Sequence, residues 1–101
     1  MKLDDYMERL AKELEEEVMD ELVDKALYAI HSNSRDDVNE CYGAAKMAYR
    51  IGAIRKPCLW RLNHALVSGW MNAGEKQREV YAETVTEEDI RAGRNWRDRQ
   101  A

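Results

Sequence analysis

The sequence predicts a single all-α domain, a small helical bundle, from its composition and from the spacing of its apolar residues. Charged residues make up 36% and hydrophobic residues 45% of the 101 residues, with only five Gly and one Pro. A chain rich in charged residues, Leu, Ala and Met is typical of helical proteins. Alternating apolar and polar runs, which would indicate strands, are absent. A chain of this length forms one modest core, so we expect one domain over residues 1–101 that gains stability from association.

The first predicted helix covers residues 3–31 and is long for so short a chain. Its apolar residues recur every three or four positions and predict one continuous apolar stripe from Leu3 to Ile30. At 1.5 Å per residue it spans roughly 43 Å, so we expect its first turns to extend beyond the rest of the fold. The first four apolar residues have coiled-coil spacing and predict the interface of a homodimer or higher oligomer. They are Leu3, Met7, Leu10 and Leu14.

A central pair of helices is predicted over residues 35–51 and 57–73. Ser34 and Asp37 have the spacing of a helix cap, Gly52 fits the position just past a helix end, and Gly74 is expected to end the second helix. The pair coincides with a stretch, residues 41–74, that contains no acidic residue and most of the expected core. That core is Tyr42, Met47, Tyr49, Ile51, Ile54, Leu59, Trp60, Leu62, Leu66, Val67, Trp70 and Met71.

Residues 75–101 predict short helices and a polar tail. A first short helix is expected from Glu75 to Glu83. Thr86 followed three residues later by Asp89 has capping-box spacing, which predicts a second short helix after it. The tail is either loose or docked through its one large apolar side chain, Trp96.

Charge is distributed unevenly along the chain. Residues 1–24 hold ten acidic and three basic residues, a net charge of −7, whereas residues 25–73 carry +4 and residues 74–101 carry −1. One face of the first helix is therefore a candidate partner-binding surface, which would mimic the phosphates of DNA and occupy a nucleic-acid-binding groove. The alternative is a solvated helix face. This acid band consists of Glu13, Glu16, Glu17, Asp20, Glu21 and Asp24.

Five basic residues of the acid-free stretch form a candidate anion site. They lie around the predicted start of the second central helix, where free backbone N–H groups and the helix dipole favour a phosphate. A nucleotide, a nucleic acid or an acidic protein would suit them. Alternatively they pair with the acidic first helix or line a solvated rim. This basic set is Lys46, Arg50, Arg55, Lys56 and Arg61.

The sequence shows two further resemblances. Ala48 and Gly52 have the spacing of small residues in helix-turn-helix regulators, which implies that Arg61 and Asn63 face base edges of DNA. The acidic patterns at residues 16–20 and 37–40 resemble the Mg²⁺ ligands of small all-α nucleotide pyrophosphohydrolases. A hairpin between the two helices would separate these patterns by roughly 13 Å, which excludes a site within one chain and leaves one between chains open.

No other pattern indicates catalysis or a membrane. Glu-x-x-His, Cys-x-x-Cys and Gly-rich phosphate loops are absent, and no apolar run is long enough to cross a membrane. The N-terminus lacks the apolar core of a signal peptide, and Cys41 and Cys58 are expected to be reduced thiols, so a cytoplasmic location is expected. We expect no metal and no cofactor.

The expected function is that of a non-enzymatic interaction protein that occupies a partner protein's surface. Small size, acidity and the lack of a catalytic constellation favour this function class. In these bulk features the chain resembles small phage-encoded inhibitors of bacterial defence, including anti-CRISPR proteins. The resemblance implies an inhibitor that acts by binding.

Overall fold

A computed structural model describes residues 3–98 and confirms the all-α fold class with a long first helix. No strand occurs among the described residues. The molecule measures 53 × 29 × 17 Å. Its elements are α1 (Leu3–His31), α2 (Arg35–Arg50), α3 (Lys56–Asn63), a π-helix that continues α3 (His64–Met71), α4 (Glu75–Thr84) and α5 (Glu87–Ala92).

Polar caps and one glycine set the ends of the helices where their spacing predicts. The backbone N–H of Asp37 donates to the hydroxyl of Ser34 at the start of α2. Gly52 lies just past α2 with a φ of +81°, which glycine adopts without strain. Thr86 and Asp89 form both hydrogen bonds of a capping box at the start of α5. Such caps typically stabilise a helix by about 1 kcal/mol.

The helix after the connector is not the regular α-helix predicted over 57–73. From residue 64 onward its turns widen, so that the N–H of Asn72 donates to the carbonyl of Val67 five residues earlier. Gly69 in this π-helix packs so closely that an added Cβ would lie 2.8 Å from Cβ of Asn95. Gly74 does not end this helix but caps the N-terminus of α4.

The core lies between the second half of α1, α2, α3 and the π-helix, and α4 and α5 close it. α2 contributes small residues to its buried face, which lets α1 approach closely. Each large aliphatic side chain buried here stabilises the fold by about 1.5–3 kcal/mol. Buried members include Met19, Leu22, Val23, Ala26, Ile30, Val38, Cys41, Ala45, Ala48, Ile54, Leu62, Leu66, Trp70, Tyr81 and Ile90.

Four residues predicted to lie in the core are exposed instead. Met47 and Tyr49 flank the buried Ala48, and one residue step turns an α-helix by about 100°, so both point away from α1. Ile51 follows the last turn of α2 and is 72% exposed. Trp60 lies on the outer side of α3, where its ring stacks on His64 with 5.0 Å between the ring centroids. The inner face of α2 belongs to small side chains rather than to its large ones.

The prediction of one continuous apolar stripe on α1 is wrong. A step of four residues turns the helix about 40° beyond a full turn, so a stripe built from such steps winds around the axis. Ala26 lies in the middle of the buried face. By this geometry the four apolar residues of the first turns lie about 100° to 160° around the axis from Ala26: Leu3, Met7, Leu10 and Leu14. All four are exposed, from 43% for Leu10 to 75% for Leu3. Val18 packs against the core, and full burial begins at Met19.

The segment after α5 is docked on the fold through Asn95. The side-chain amide of Asn95 donates to the carbonyl oxygen of His64 in the π-helix, and its backbone N–H donates to the carboxylate of Asp98. The hydroxyl of Tyr81 donates to the carbonyl of Arg94. The pKa of Asp98 is lowered, first by the Asn95 N–H and then by His64, which lies 3.3 Å away. Trp96, half-buried, contributes apolar contact.

Candidate interaction surface on the first helix

All six residues of the acid band are exposed on α1. Within the part of the chain that the structure describes, five of them form no ion pair: Glu13, Glu16, Glu17, Glu21 and Asp24. The sixth, Asp20, accepts a 2.6 Å hydrogen bond from Arg91 of α5. The band therefore presents mostly uncompensated negative charge to solvent.

Three residues of the acid band continue the line of the exposed apolar residues of α1. Leu3, Met7, Leu10 and Leu14 are followed at the same steps of four and three by Glu17, Glu21 and Asp24. We call these seven residues the outward stripe. Steps of four and three keep side chains on one side of a helix. The outward side of α1 is thus apolar in its first turns and acidic in the turns that follow.

The first turns of α1, residues 3–14, form an N-terminal arm whose outward side nothing in the described chain covers. The opposite side of the arm faces the connector between α2 and α3. There Glu8, Ala11 and Lys12 share an open groove with Gly52 and Ala53. Because the connector occupies this inner side, the apolar half of the outward stripe points away from the chain's own core.

Glu15 joins α1 to the connector and was not among the predicted site residues. Its carboxylate accepts from the backbone N–H of Arg55 at 2.7 Å and from the guanidinium at 2.8 Å. These hydrogen bonds hold the pKa of Glu15 below its ordinary value. Glu15 lies about 20° around the helix from Ala26, on the core side, and this position was the only sequence signal that set it apart from the acid band.

The basic set is dispersed over three elements, and its best anion site is already filled by Glu15. Arg55 is the N-cap residue of α3, so Glu15 occupies the place near the helix start where a phosphate would bind. Lys46 lies on α2 with its ammonium 5.1 Å from the ring centroid of Tyr42. Arg50 and Lys56 are exposed and form no ion pair among the described residues. An external anion would have to displace Glu15.

Replacing Glu15 with Gln is expected to remove a pH-dependent part of the stability. Because the pKa of Glu15 is lower in the folded chain, its contribution is complete above the unfolded pKa and is lost as the pH falls through the folded value. The wild type should therefore be more stable than the variant at neutral pH, and the difference should shrink in acid.

Urea unfolding from about pH 7 to about pH 3 measures that difference. Glu16→Gln is the matched control, since Glu16 is exposed and has no ion pair among the described residues. If the free energies of unfolding of wild type and Glu15→Gln differ by the same amount at every pH, the charge of the carboxylate contributes nothing to stability.

The two residues of the helix-turn-helix resemblance lie on α3 with different exposure. Arg61 is exposed, and its backbone and the stem of its side chain pack beside Gly93. The amide oxygen of Asn63 is buried rather than available to a base edge. The pI near 5.2 is also unlike that of a DNA-reading domain.

The acidic, cysteine and histidine side chains that could perform chemistry are dispersed as well. Residues 3–98 contain no group of three or more His, Cys, Asp or Glu side chains placed to hold a metal ion. Glu40, from the second acidic pattern, pairs with Lys25 at 3.2 Å. Burial raises the pKa of Cys41 to about 11 and also raises that of Cys58, so both thiols are protonated at neutral pH. His31 bonds the carbonyl oxygen of Ala82 at 2.6 Å.

Comparison with known proteins adds no relative. No family model matches the chain, and no curated protein or solved structure is significantly similar to it. Across residues 3–98, no helix is both long enough and apolar enough to cross a membrane. The geometry of the outward side of α1 is therefore the basis for a functional assignment.

Proposed function

We propose that this chain is a non-enzymatic interaction protein that self-associates through its N-terminal arm and uses the acid band to occupy a basic surface of a partner protein. The observation that carries the proposal is the outward stripe. It combines exposed apolar side chains with acidic side chains that have no cation among the described residues. Neither half contributes to the core, and both lie on one accessible side of the molecule.

Repulsion between the carboxylates of the acid band destabilises the helix, which favours a binding role over a structural one. Glu13, Glu17 and Glu21 follow one another at intervals of four residues, so like charges face each other along the helix. Such pairs destabilise a helix by about 0.2–0.5 kcal/mol each. A basic partner surface would relieve this repulsion and attract the band over long range.

The density of charge favours a nucleic-acid-binding surface as the target. The band runs from Glu13 to Asp24, roughly 16 Å of helix, and holds six carboxylates. One strand of duplex DNA carries a phosphate about every 3.4 Å. The band thus reproduces the charge of about one DNA strand over that length. A protein that binds in this way would block its partner's access to DNA, as an inhibitor does.

Capture on the immobilised chain tests this function. A soluble extract of the native host is passed over the wild type, and bound proteins are displaced with duplex DNA. We expect at least one DNA-displaced protein that a Glu13→Lys, Glu17→Lys, Glu21→Lys variant fails to retain. Asp20 is left unchanged because its bond to Arg91 belongs to the fold.

The matched control carries the same charge change elsewhere. Glu75, Glu79 and Glu83 have the same spacing on α4, are exposed and form no ion pair among the described residues. Their triple Lys variant should retain the captured protein. Equal retention by the acid-band variant, or loss with both variants, would count against the acid band as the binding surface.

A further inference from the structure

We infer that two copies of this chain pair antiparallel through their N-terminal arms, with Leu3, Met7, Leu10 and Leu14 as the contact. The inference rests on the self-association part of the proposed function and specifies its partner and geometry. The partner is a second copy, related by a two-fold axis that crosses α1 between Met7 and Leu10. The acid bands then project from opposite ends of the paired arms.

The spacing of the four apolar residues is self-complementary in the antiparallel direction. When one arm runs against another about a centre between residues 8 and 9, Leu3 faces Leu14 of the second copy and Met7 faces Leu10. The other two layers follow by symmetry, so each of the four side chains meets an apolar side chain. Antiparallel helices with four-three spacing pack in such layers.

Charge selects the antiparallel direction over the parallel one. In a parallel pair in register, the outward stripe would place Glu17 against Glu17 of the second copy, and Glu21 and Asp24 likewise against their equivalents. Like charges at facing positions are destabilising. In the antiparallel pair these three residues lie beyond the tip of the other arm, so no acidic side chain of the stripe faces another.

The ends of the antiparallel contact are electrostatically complementary. Each arm tip carries the positive end of the α1 dipole, and Glu17 of the other copy lies beside it by the same register. Along the flanks, Glu13 comes close to Tyr6 of the second copy, whose hydroxyl is a suitable donor to a carboxylate. Asp4 comes close to Ala11 rather than to an acid. Tyr6 is also exposed and extends the apolar surface.

The available surface predicts a weak, reversible dimer. The four stripe residues and Tyr6 are each between 43% and 75% exposed in one copy. Burying them in both copies would remove on the order of 1,000 Å² from water, the low end for specific interfaces. We therefore expect a dissociation constant on the order of tens of micromolar.

Disulfide trapping distinguishes the two directions. In a Cys58→Ser background, Leu3→Cys chains are mixed with Leu14→Cys chains in a glutathione redox buffer, and the products are separated without reducing agent. The antiparallel pair brings positions 3 and 14 together and should give the mixed dimer. It keeps two copies of position 3 roughly 16 Å apart along the axis, too far for a disulfide. Leu3→Cys alone should therefore remain uncrosslinked.

The outcomes separate this inference from the proposed function. A Leu3→Cys homodimer would show a parallel pair, which overturns the inference and leaves self-association standing. If sedimentation shows a dimer but every combination crosslinks equally, or none crosslinks, the contact lies elsewhere. Either result would also overturn the inference. A wild type that sediments as a monomer at about 200 µM would overturn both self-association and the antiparallel pair. The acid-band capture experiment is unaffected by any of these results.

Discussion

Replacing Gly69 with Ala is expected to lower the free energy of unfolding by about 2 kcal/mol. The new Cβ would lie 2.8 Å from Cβ of Asn95, 3.1 Å from Cε2 of Tyr81 and 3.3 Å from the carbonyl oxygen of His64. Asn95 and Tyr81 are both buried and hydrogen-bonded, so neither moves cheaply. The substitution presses the π-helix away from the segment after α5 and opens the contact that docks it.

Gly43→Ala is the matched control for this prediction. Gly43 lies in α2, and an added Cβ there meets nothing within 4 Å. Exchanging an exposed helical Gly for Ala usually stabilises by about 1 kcal/mol, so the two variants should differ by roughly 3 kcal/mol. Urea unfolding followed by circular dichroism measures both. Equal stabilities for the two variants would mean that the close packing of Gly69 is not maintained in solution.

Replacing Leu10 with Glu is expected to raise the dissociation constant of the proposed dimer at least tenfold. Leu10 lies next to the proposed two-fold axis, so the change puts two carboxylates into the centre of one small interface, each facing an apolar Met7. Burying unpaired charge there costs far more than the lost apolar contact. The fold itself should be unaffected because Leu10 is exposed and outside the core.

Sedimentation equilibrium from about 1 to 200 µM measures this change. Tyr28→Glu serves as the control, since Tyr28 is 69% exposed and lies on the same helix outside the arm. We expect Tyr28→Glu to associate like the wild type and Leu10→Glu to remain monomeric. If Leu10→Glu associates as strongly as the wild type, the dimer contact does not lie in the arm.

The fold class was predictable because helix signals act locally. The caps at Ser34 and Thr86 and the glycine at position 52 each depend on a few neighbouring residues, and the structure uses all three. The side of a helix that faces the core depends on its neighbours instead. Met47 and Tyr49 were predicted to lie in the core, yet both are exposed, and α1 packs on smaller residues of α2.

The π-helix and the docked segment after α5 had no usable sequence signal. They depend on contacts between distant residues, such as Gly69 with Asn95 and Tyr81 with Arg94. The winding of the α1 stripe, by contrast, was recoverable. Steps of four residues turn past a full helical turn, so Leu3 and Ile30 could not share one face of a straight helix.

The sequence identified the residues of the acid band but not the ion pairs that residues in and beside it form. Six acidic residues at helical spacing identified the acid band, and all six are exposed. Sequence did not separate Asp20, which pairs with Arg91, from its unpaired neighbours, and it did not identify Glu15 as the partner of Arg55. Both pairs join residues far apart in the chain, so only the packing of α1 against α3 and α5 determines them.

Calorimetric titration of the captured and purified partner with the acid-band variant tests most directly whether the outward side of α1 is the binding surface. The Glu13→Lys, Glu17→Lys, Glu21→Lys variant should bind roughly 30-fold more weakly than wild type, because three attractive contacts become repulsive. The α4 control with Lys at positions 75, 79 and 83 should stay within about threefold of wild type. Equal affinities for the acid-band variant and wild type would contradict the account.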